Sequence, residues 1–412
     1  MTIRFAVYML VALALAPMPS LAAPPTRPAS TPPSDLSPAD QAFLNAREAA
    51  RLGDRERLAL APARLADHPL AMYLDYWQIL GRIRAGEPRA ATDVAQFLRK
   101  HADTYLADRL RFDWALALAN RGDYPGLERE AALLVPGWWT DDSQLRCYLA
   151  LSKYRKATAQ QADVFARDAR QLLANTKDSA GDGCLALTDA LLTDGRISVW
   201  ERVRALVEQN QLDTAKRIGA RALDQNDKPV DLKMLTQAID RPAAWLTAHE
   251  RRLTEVQREL AIVAIVRLAR DNPQEAAEYA GALHLLLSPE QRGIVWGRIG
   301  HMAALRLMRE ANDWYRRGGE HVGIGPDAAR VDEVLEWQVR SALRANDWKS
   351  VKTSIDRMPA MLRDDPTWVY WYGRALRQLG RPAEAQDHFA RIASQFHFYG
   401  QLAAEELGQP LA

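Results

Sequence analysis

The chain has 412 residues, 54 Lys+Arg against 52 Asp+Glu, and 48% hydrophobic content, enough for two or three ordinary domains or one long repeat array. A 26% charged fraction of balanced sign excludes an intrinsically disordered chain, and a net charge of +2 supplies no concentrated basic face for nucleic acid. Two cysteines rule out a four-thiolate zinc site, and eight histidines without a His-x-x-x-His pair make a helical zinc site untenable, so no metal or other cofactor is expected.

Met1 to Arg4 carries one positive charge, Phe5 to Ala16 is an uninterrupted apolar run, and Ser20-Leu21-Ala22 supplies small residues for cleavage. This order predicts a secretory signal peptide over 1–22 and hence an exported chain. The run is short of the roughly 20 apolar residues that span a bilayer, so no membrane anchor is expected. No Cys follows the cleavage site to carry a lipid. Residues 23–36 form a Pro-rich flexible leader, with five prolines between Ala23 and Asp35 and no large apolar side chain. Order is expected from Ser37, which can cap a helix opened by Pro38.

From there the pattern is helical. Ala91, Val94, Ala95 and Leu98 form one stripe; Trp368, Tyr372, Ala375, Leu376 and Leu379 form another. Prolines recur at expected helix starts, as in Arg241-Pro242, Asn272-Pro273 and Arg381-Pro382, and no strand pair joined by Asn-Gly or Asp-Gly is found. Gly53, Gly122, Asn346 and Gly380 each follow one helix and open another, residue types that tolerate the left-handed conformation. Asn346 and Gly380 lie 34 positions apart, the tetratricopeptide spacing. The expected fold class is all-α: a right-handed superhelix, or solenoid, of degenerate tetratricopeptide-like hairpins, U-shaped or ring-like, over 37–412. The period is loose between about 130 and 330. Glycines in Arg316 to Asp327 mark an irregular connection between subsections 37–316 and 327–412.

In an exported chain, Cys147 and Cys184 are most simply one disulfide, worth roughly 4 kcal/mol at most in the chain-entropy account. Two unpaired buried thiols are the alternative.

Three segments resemble the soluble lytic transglycosylases: His68 to Ile79 (HPLAMYLDYWQI), Val334 to Ala385, and Phe396 to Gly408 (FHFYGQLAAEELG). Their order matches that family's N-terminal U-shaped superhelical domain, and the placement of the two cysteines is consistent with it. The resemblance implies a periplasmic role in peptidoglycan turnover, with cleavage of glycan strands to 1,6-anhydro products by a lysozyme-like domain that follows the superhelix. That chemistry rests on a Glu in a Glu-Ser context near Gly-Leu-Met-Gln and Ala-Tyr-Asn motifs. None of the three occurs here, so no catalytic residue is transferred, and the lysozyme-like domain is expected to be missing through truncation, gene splitting or choice of the expressed segment.

Other chemistry is poorly supported. Glu405-Glu406 and Asp364-Asp365 point about 100° apart on a helix and read as solvated surface. Asp178 to Gly183 lacks the ligand alternation of a calcium loop, and Gly323-Ile324-Gly325 lacks the Lys-Ser/Thr of a phosphate cradle. Most tryptophans, such as Trp77, Trp114, Trp337 and Trp371, fall on apolar stripes. Trp138 and Trp139 follow Pro136-Gly137 in a joint and are the weak candidates for glycan contact, packing over a helix end being the favoured reading. Arg99-Lys100, Arg251-Arg252 and Arg316-Arg317 could meet the carboxylates of murein stem peptides, though a solvated surface is the default. Two functions remain: a murein-binding superhelical region working with a separate catalytic domain, or a stand-alone periplasmic scaffold for another protein.

Overall fold

The computed structural model describes residues 36–61, 65–176, 178–249, 252–322 and 331–410. The signal peptide, nearly all of the leader, Arg251 and the glycines at 323 and 325 lie outside the described residues. Among the described residues no strand forms; one isolated antiparallel bridge joins Leu223 and Pro229. The helices in chain order are α1 (Pro38–Leu52), α2 (Arg55–Ala59), α3 (Ala71–Arg84), α4 (Ala90–Lys100), α5 (Tyr105–Asn120), α6 (Tyr124–Ala131), α7 (Ser143–Lys156), α8 (Ala159–Asn175) and α9 (Asp182–Thr193). They continue as α10 (Val199–Glu208), α11 (Leu212–Gly219), α12 (Leu232–Asp240), α13 (Pro242–Ala248), α14 (Glu255–Asp271), α15 (Pro273–Ala282), α16 (Pro289–Leu305) and α17 (Ala311–Gly318). The last are α18 (Val331–Arg344), α19 (Trp348–Asp356), α20 (Ala360–Arg363), α21 (Pro366–Gln378), α22 (Pro382–Ala390) and α23 (Phe398–Glu406). The chain is all-α, as its periodicity requires.

Among the described residues, those up to Arg82 form one compact unit and those from Ile83 a second. In the first, α1 opens with the expected cap: Ser37 Oγ accepts from the Asp40 N–H while the Asp40 carboxylate accepts from the Ser37 N–H. Phe43, Ala46, Ala49, Leu58, Leu65 and Leu74 bury together. His68 lies flat on the Phe43 ring at 4.8 Å and meets Asp40 at 3.2 Å, so the first resembling segment begins with a packed, hydrogen-bonded imidazole.

The second unit is built from consecutive helical hairpins, and the joints share one backbone device. Gly122 has φ +80° and the next N–H, of Asp123, reaches back to the Leu118 carbonyl at 2.9 Å. The same bond closes α9 at Gly195 (Arg196 to Leu191), α10 at Asn210 (Gln211 to Leu206) and α16 at Leu307 (Met308 to Ala303). It recurs at Asn346 (Asp347 to Ala342), Gly380 (Arg381 to Leu376) and Gly408 (Gln409 to Ala404). A left-handed residue thus satisfies a carbonyl that the helix end would leave bare and turns the chain at once. Asp123, Ser198 and Asp347 then cap the next helices.

Short joints force each apolar stripe onto its neighbour. One core runs from Phe112 to Ile197, a second from Val203 to Val322, a third from Leu335 to Ala375 and a fourth from Val369 to Ala404. Leu192 packs against both the first and second, and Trp371 and Tyr372 against both the third and fourth. The core is therefore a continuous ribbon handed from hairpin to hairpin, as in an α-solenoid. Above Gly318 the chain makes a short 3₁₀ turn, Gly319–His321, where the glycine-rich connection begins.

Cys147 on α7 and Cys184 on α9 are joined as a disulfide with Cα atoms 4.9 Å apart, both fully buried. The helices could not approach so closely with a larger residue before Cys184. A Cβ on Gly183 would lie 2.5 Å from the Gln144 carbonyl oxygen and 2.9 Å from the Tyr148 ring. Replacing both cysteines by Ala is expected to destabilise the α7–α9 layer by roughly 2–4 kcal/mol, because a cross-link across a separation of 37 restricts the unfolded chain. Amide hydrogen exchange should speed up in α7 and α9 while α14 keeps its protection; uniform loss along the chain would contradict the local coupling described here.

Candidate functional site

The Trp138–Trp139 joint is positioned by α5 and the start of α7. Asp108, buried on α5, accepts the Val135 N–H at 3.1 Å and pins the strand of backbone that follows α6. Gly137 takes φ +86°, its N–H donating to Thr140 Oγ1 at 3.0 Å, and Asp142 closes the segment by accepting the Gln144 and Leu145 N–H groups at the head of α7. The turn thereby aims two adjacent indoles in different directions.

Trp139 turns inward. It stacks on Phe112 at 5.2 Å, lies 5.6 Å from the Tyr105 ring and carries the Arg109 guanidinium 4.4 Å above its face. Arg109 is steadied by Asp113 at 3.2 Å. Trp138 turns outward, 48% exposed, with its ring 5.4 Å from Tyr105, itself 52% exposed. Leu133 and Val135 are also exposed on the same joint. The pair singled out by sequence thus divides: Trp139 packs over the helix end, and Trp138 with Tyr105 forms an aromatic ledge. Such a ledge offers a π face to apolar C–H groups of a ligand while leaving the indole N–H for hydrogen bonding. Tyr105 went unnoticed in the sequence because its neighbour is over thirty positions away; the only signal was an aromatic residue at the first position of a helix capped by Thr104.

The other residues singled out fall elsewhere. Trp114 is buried, and Trp77, Trp337 and Trp371 pack half-buried against the cores. Arg99 and Lys100 are exposed at the end of α4. Asp364 pairs at the surface with Arg391 at 2.8 Å, and Asp365 caps α21. The solvated-surface reading of Glu405-Glu406 holds for Glu405 alone. Glu406 is largely covered, meets Arg374 at 3.0 Å, pairs with Arg377 and accepts from Tyr370, because the last hairpin folds its one inward carboxylate against α21. Among the described residues no group of three His, Cys, Asp or Glu side chains converges to hold a metal. Nor is any helix long and apolar enough to cross a membrane.

The division of labour at the ledge is measurable. Trp138→Ala should change stability by less than about 0.5 kcal/mol, as expected for an exposed side chain. Trp139→Ala should cost about 2–4 kcal/mol through lost packing with Phe112 and Arg109. Chemical denaturation of both variants checks this, and equal costs would show that Trp138 is also a packing residue.

No family model matches this sequence. It is 26% identical over 353 residues to the soluble lytic murein transglycosylase of Escherichia coli K12, and 24% identical over 355 residues to that of Salmonella typhimurium. Each alignment covers 84% of this chain and 51% of the relative. Among solved structures, lytic transglycosylase Slt from Pseudomonas aeruginosa, in an inactive mutant form, superposes with a TM-score of 0.48 at 21% identity, covering 90% of this chain and 58% of that one. The 70-kDa soluble lytic transglycosylase of Escherichia coli gives 0.43 at 21% identity, with the same two coverages. The chain is thus similar along most of its length to soluble lytic murein transglycosylases, and it spans about half the length of the curated relatives it matches.

Proposed function

We propose that this chain is a murein-binding helical scaffold, equivalent to the superhelical region of a soluble lytic transglycosylase, exported to the periplasm by residues 1–22. Its role is to hold glycan strands for cleavage by a lysozyme-like catalytic domain that residues 1–412 do not contain. The observation that supports this most is the similarity to soluble lytic murein transglycosylases over 84% of the chain. Two features agree with it. The 412 residues hold no Glu-Ser, Gly-Leu-Met-Gln or Ala-Tyr-Asn motif. The covered carboxylate Glu406 is already engaged by Arg374, Arg377 and Tyr370 at the last hairpin.

On this reading the ledge of Trp138 and Tyr105 stacks on a sugar ring of the glycan. Trp138 and Tyr105 are both about half exposed, which suits a polymer passing over them better than a small molecule enclosed in a pocket.

Purified chain mixed with peptidoglycan sacculi should sediment with them and release no anhydro-muropeptides above a heat-killed control. The Trp138→Ala, Tyr105→Ala double variant should sediment several-fold less. Wild-type protein remaining in the supernatant would overturn the binding role, and released anhydro-muropeptides would overturn the separation of binding from cutting.

A further inference from the structure

The structure holds a second feature, on a different hairpin, that the ledge does not use. Where α16 ends, Leu307 takes φ +56°, a left-handed conformation costly for a branched residue outside glycine. The joint it makes and the last two turns of α18 enclose a pocket of roughly 340 Å³, at the lower end of the roughly 300–1,000 Å³ of small-ligand sites. Its apolar floor is Leu307, Met308 and Trp337, and its charged walls are Arg309, Arg340 and Arg344. No carboxylate lines it.

Two of the three guanidiniums are held in place. Arg340 sits between two indoles, 5.1 Å from the Trp337 ring and 5.2 Å from that of Trp368, and Glu336 anchors one edge at 3.0 Å. Arg344, one helical turn further, donates to the Leu307 carbonyl at 3.1 Å, which ties it to the strained joint. Arg309 is exposed and forms no ion pair with a described residue. Three guanidiniums bring up to fifteen N–H donors, whereas Glu336 and one carbonyl engage only a few of them. Concentrating three like charges around an apolar floor costs repulsion that a bound anion would relieve, and planar guanidiniums match carboxylates two bonds at a time.

We infer that this pocket is a carboxylate-recognition site that takes the acidic stem peptide of murein: its apolar floor receives the peptide's aliphatic parts, and Arg309 and Arg344 bind its carboxylates while Arg340 provides a fixed charge behind them. The ligand's identity rests on the proposed murein function; the anion chemistry does not. The peptide would reach the pocket while the glycan it hangs from is engaged elsewhere on the chain.

The test uses the full chain and four probes in titration calorimetry: a synthetic stem tripeptide with free carboxylates, its fully amidated form, glutarate, and peptide-free glycan strands. The free tripeptide should bind at least about tenfold tighter than its amide, as charge-assisted hydrogen bonds of this kind imply. The affinity should fall with added salt. An Arg309→Gln, Arg344→Gln variant, both changes at the rim and its helical content checked by circular dichroism, should lose that preference while binding glycan strands as wild type does. Equal binding of tripeptide and amide, or an unaltered preference in the variant, would overturn the site. Glutarate binding as tightly as the tripeptide would keep the carboxylate site and overturn the stem peptide as its occupant. Glycan strands that fail to bind while the tripeptide binds would count against the murein scaffold alone.

Discussion

A single backbone bond, from the residue after a left-handed joint to the carbonyl five positions before it, decides what the rest of the second unit can do. A helix end leaves carbonyls without partners, and a long loop would satisfy them with water at the expense of ordering many residues. Bonding Asp123 to Leu118, or Arg381 to Leu376, closes the end within two residues. The following helix must then run back alongside, and its apolar stripe has nowhere to go but onto the preceding pair. That is why Leu127, Leu145 and Leu187 all lie in one core though they come from α6, α7 and α9. Stability in such a stack is a sum over neighbours, so the disulfide between α7 and α9 reinforces one layer and leaves the others to their own packing.

Charged groups inside the stack follow from the same geometry. Arg202 on α10 is almost wholly buried; burial pulls its guanidinium down to about 10, against a smaller upward pull from Glu201, and one Nη donates to the Ser179 carbonyl at 2.7 Å. Arg204, next on the same helix, pairs with Glu259 on α14, and Arg298 on α16 lies 3.7 Å from Glu208. Burying an ion is costly unless its partner is placed well. For Arg204 and Arg298 the partner comes from a helix several positions away in the chain, α14 for the one and α10 for the other, so these two arginines are paired only when the hairpins are in register. They act as cross-ties in the widest core, where generic aliphatic contact would tolerate sliding.

The joints were legible wherever the left-handed residue is Gly or Asn, since those types reveal the backbone they permit: Gly53, Gly122, Asn346 and Gly380 all have φ between +53° and +80°. Leu307 gives no such signal, and it adopts the same conformation because the bond from Met308 to Ala303 demands it. The loose period in the middle has a simple origin. The joint chemistry persists at Gly195, Asn210 and Leu307, but helix length does not, with α13 having 7 residues and α14 having 17. Fixed spacing is lost while the fold is kept. The aromatic ledge was half legible: the Pro-Gly before Trp138 marks a joint, but whether an indole points outward depends on Phe112 and Arg109, which only folding brings near. The pocket was less so. Arg340 and Arg344 stand one helical turn apart in plain sequence, yet an i, i+4 pair of arginines on a helix is ordinary, and the third guanidinium comes from a joint over thirty residues earlier.

Two sites on separate hairpins, if both bind as proposed, suit a ligand that repeats. An exposed indole stacking on one sugar contributes on the order of 1 kcal/mol, and a partly solvated guanidinium on a carboxylate little more. Neither alone approaches the roughly 8 kcal/mol of micromolar binding. A polymer changes this, because once one unit is held the next binds from an effective concentration set by the spacer and not by the bulk. If both sites are used as proposed, a stack of hairpins that holds them at a set distance would favour a ligand whose repeat matches. On the proposed murein reading, weak grip at many points would let a strand move along the chain, while most of the twelve tryptophans pack in or against the cores.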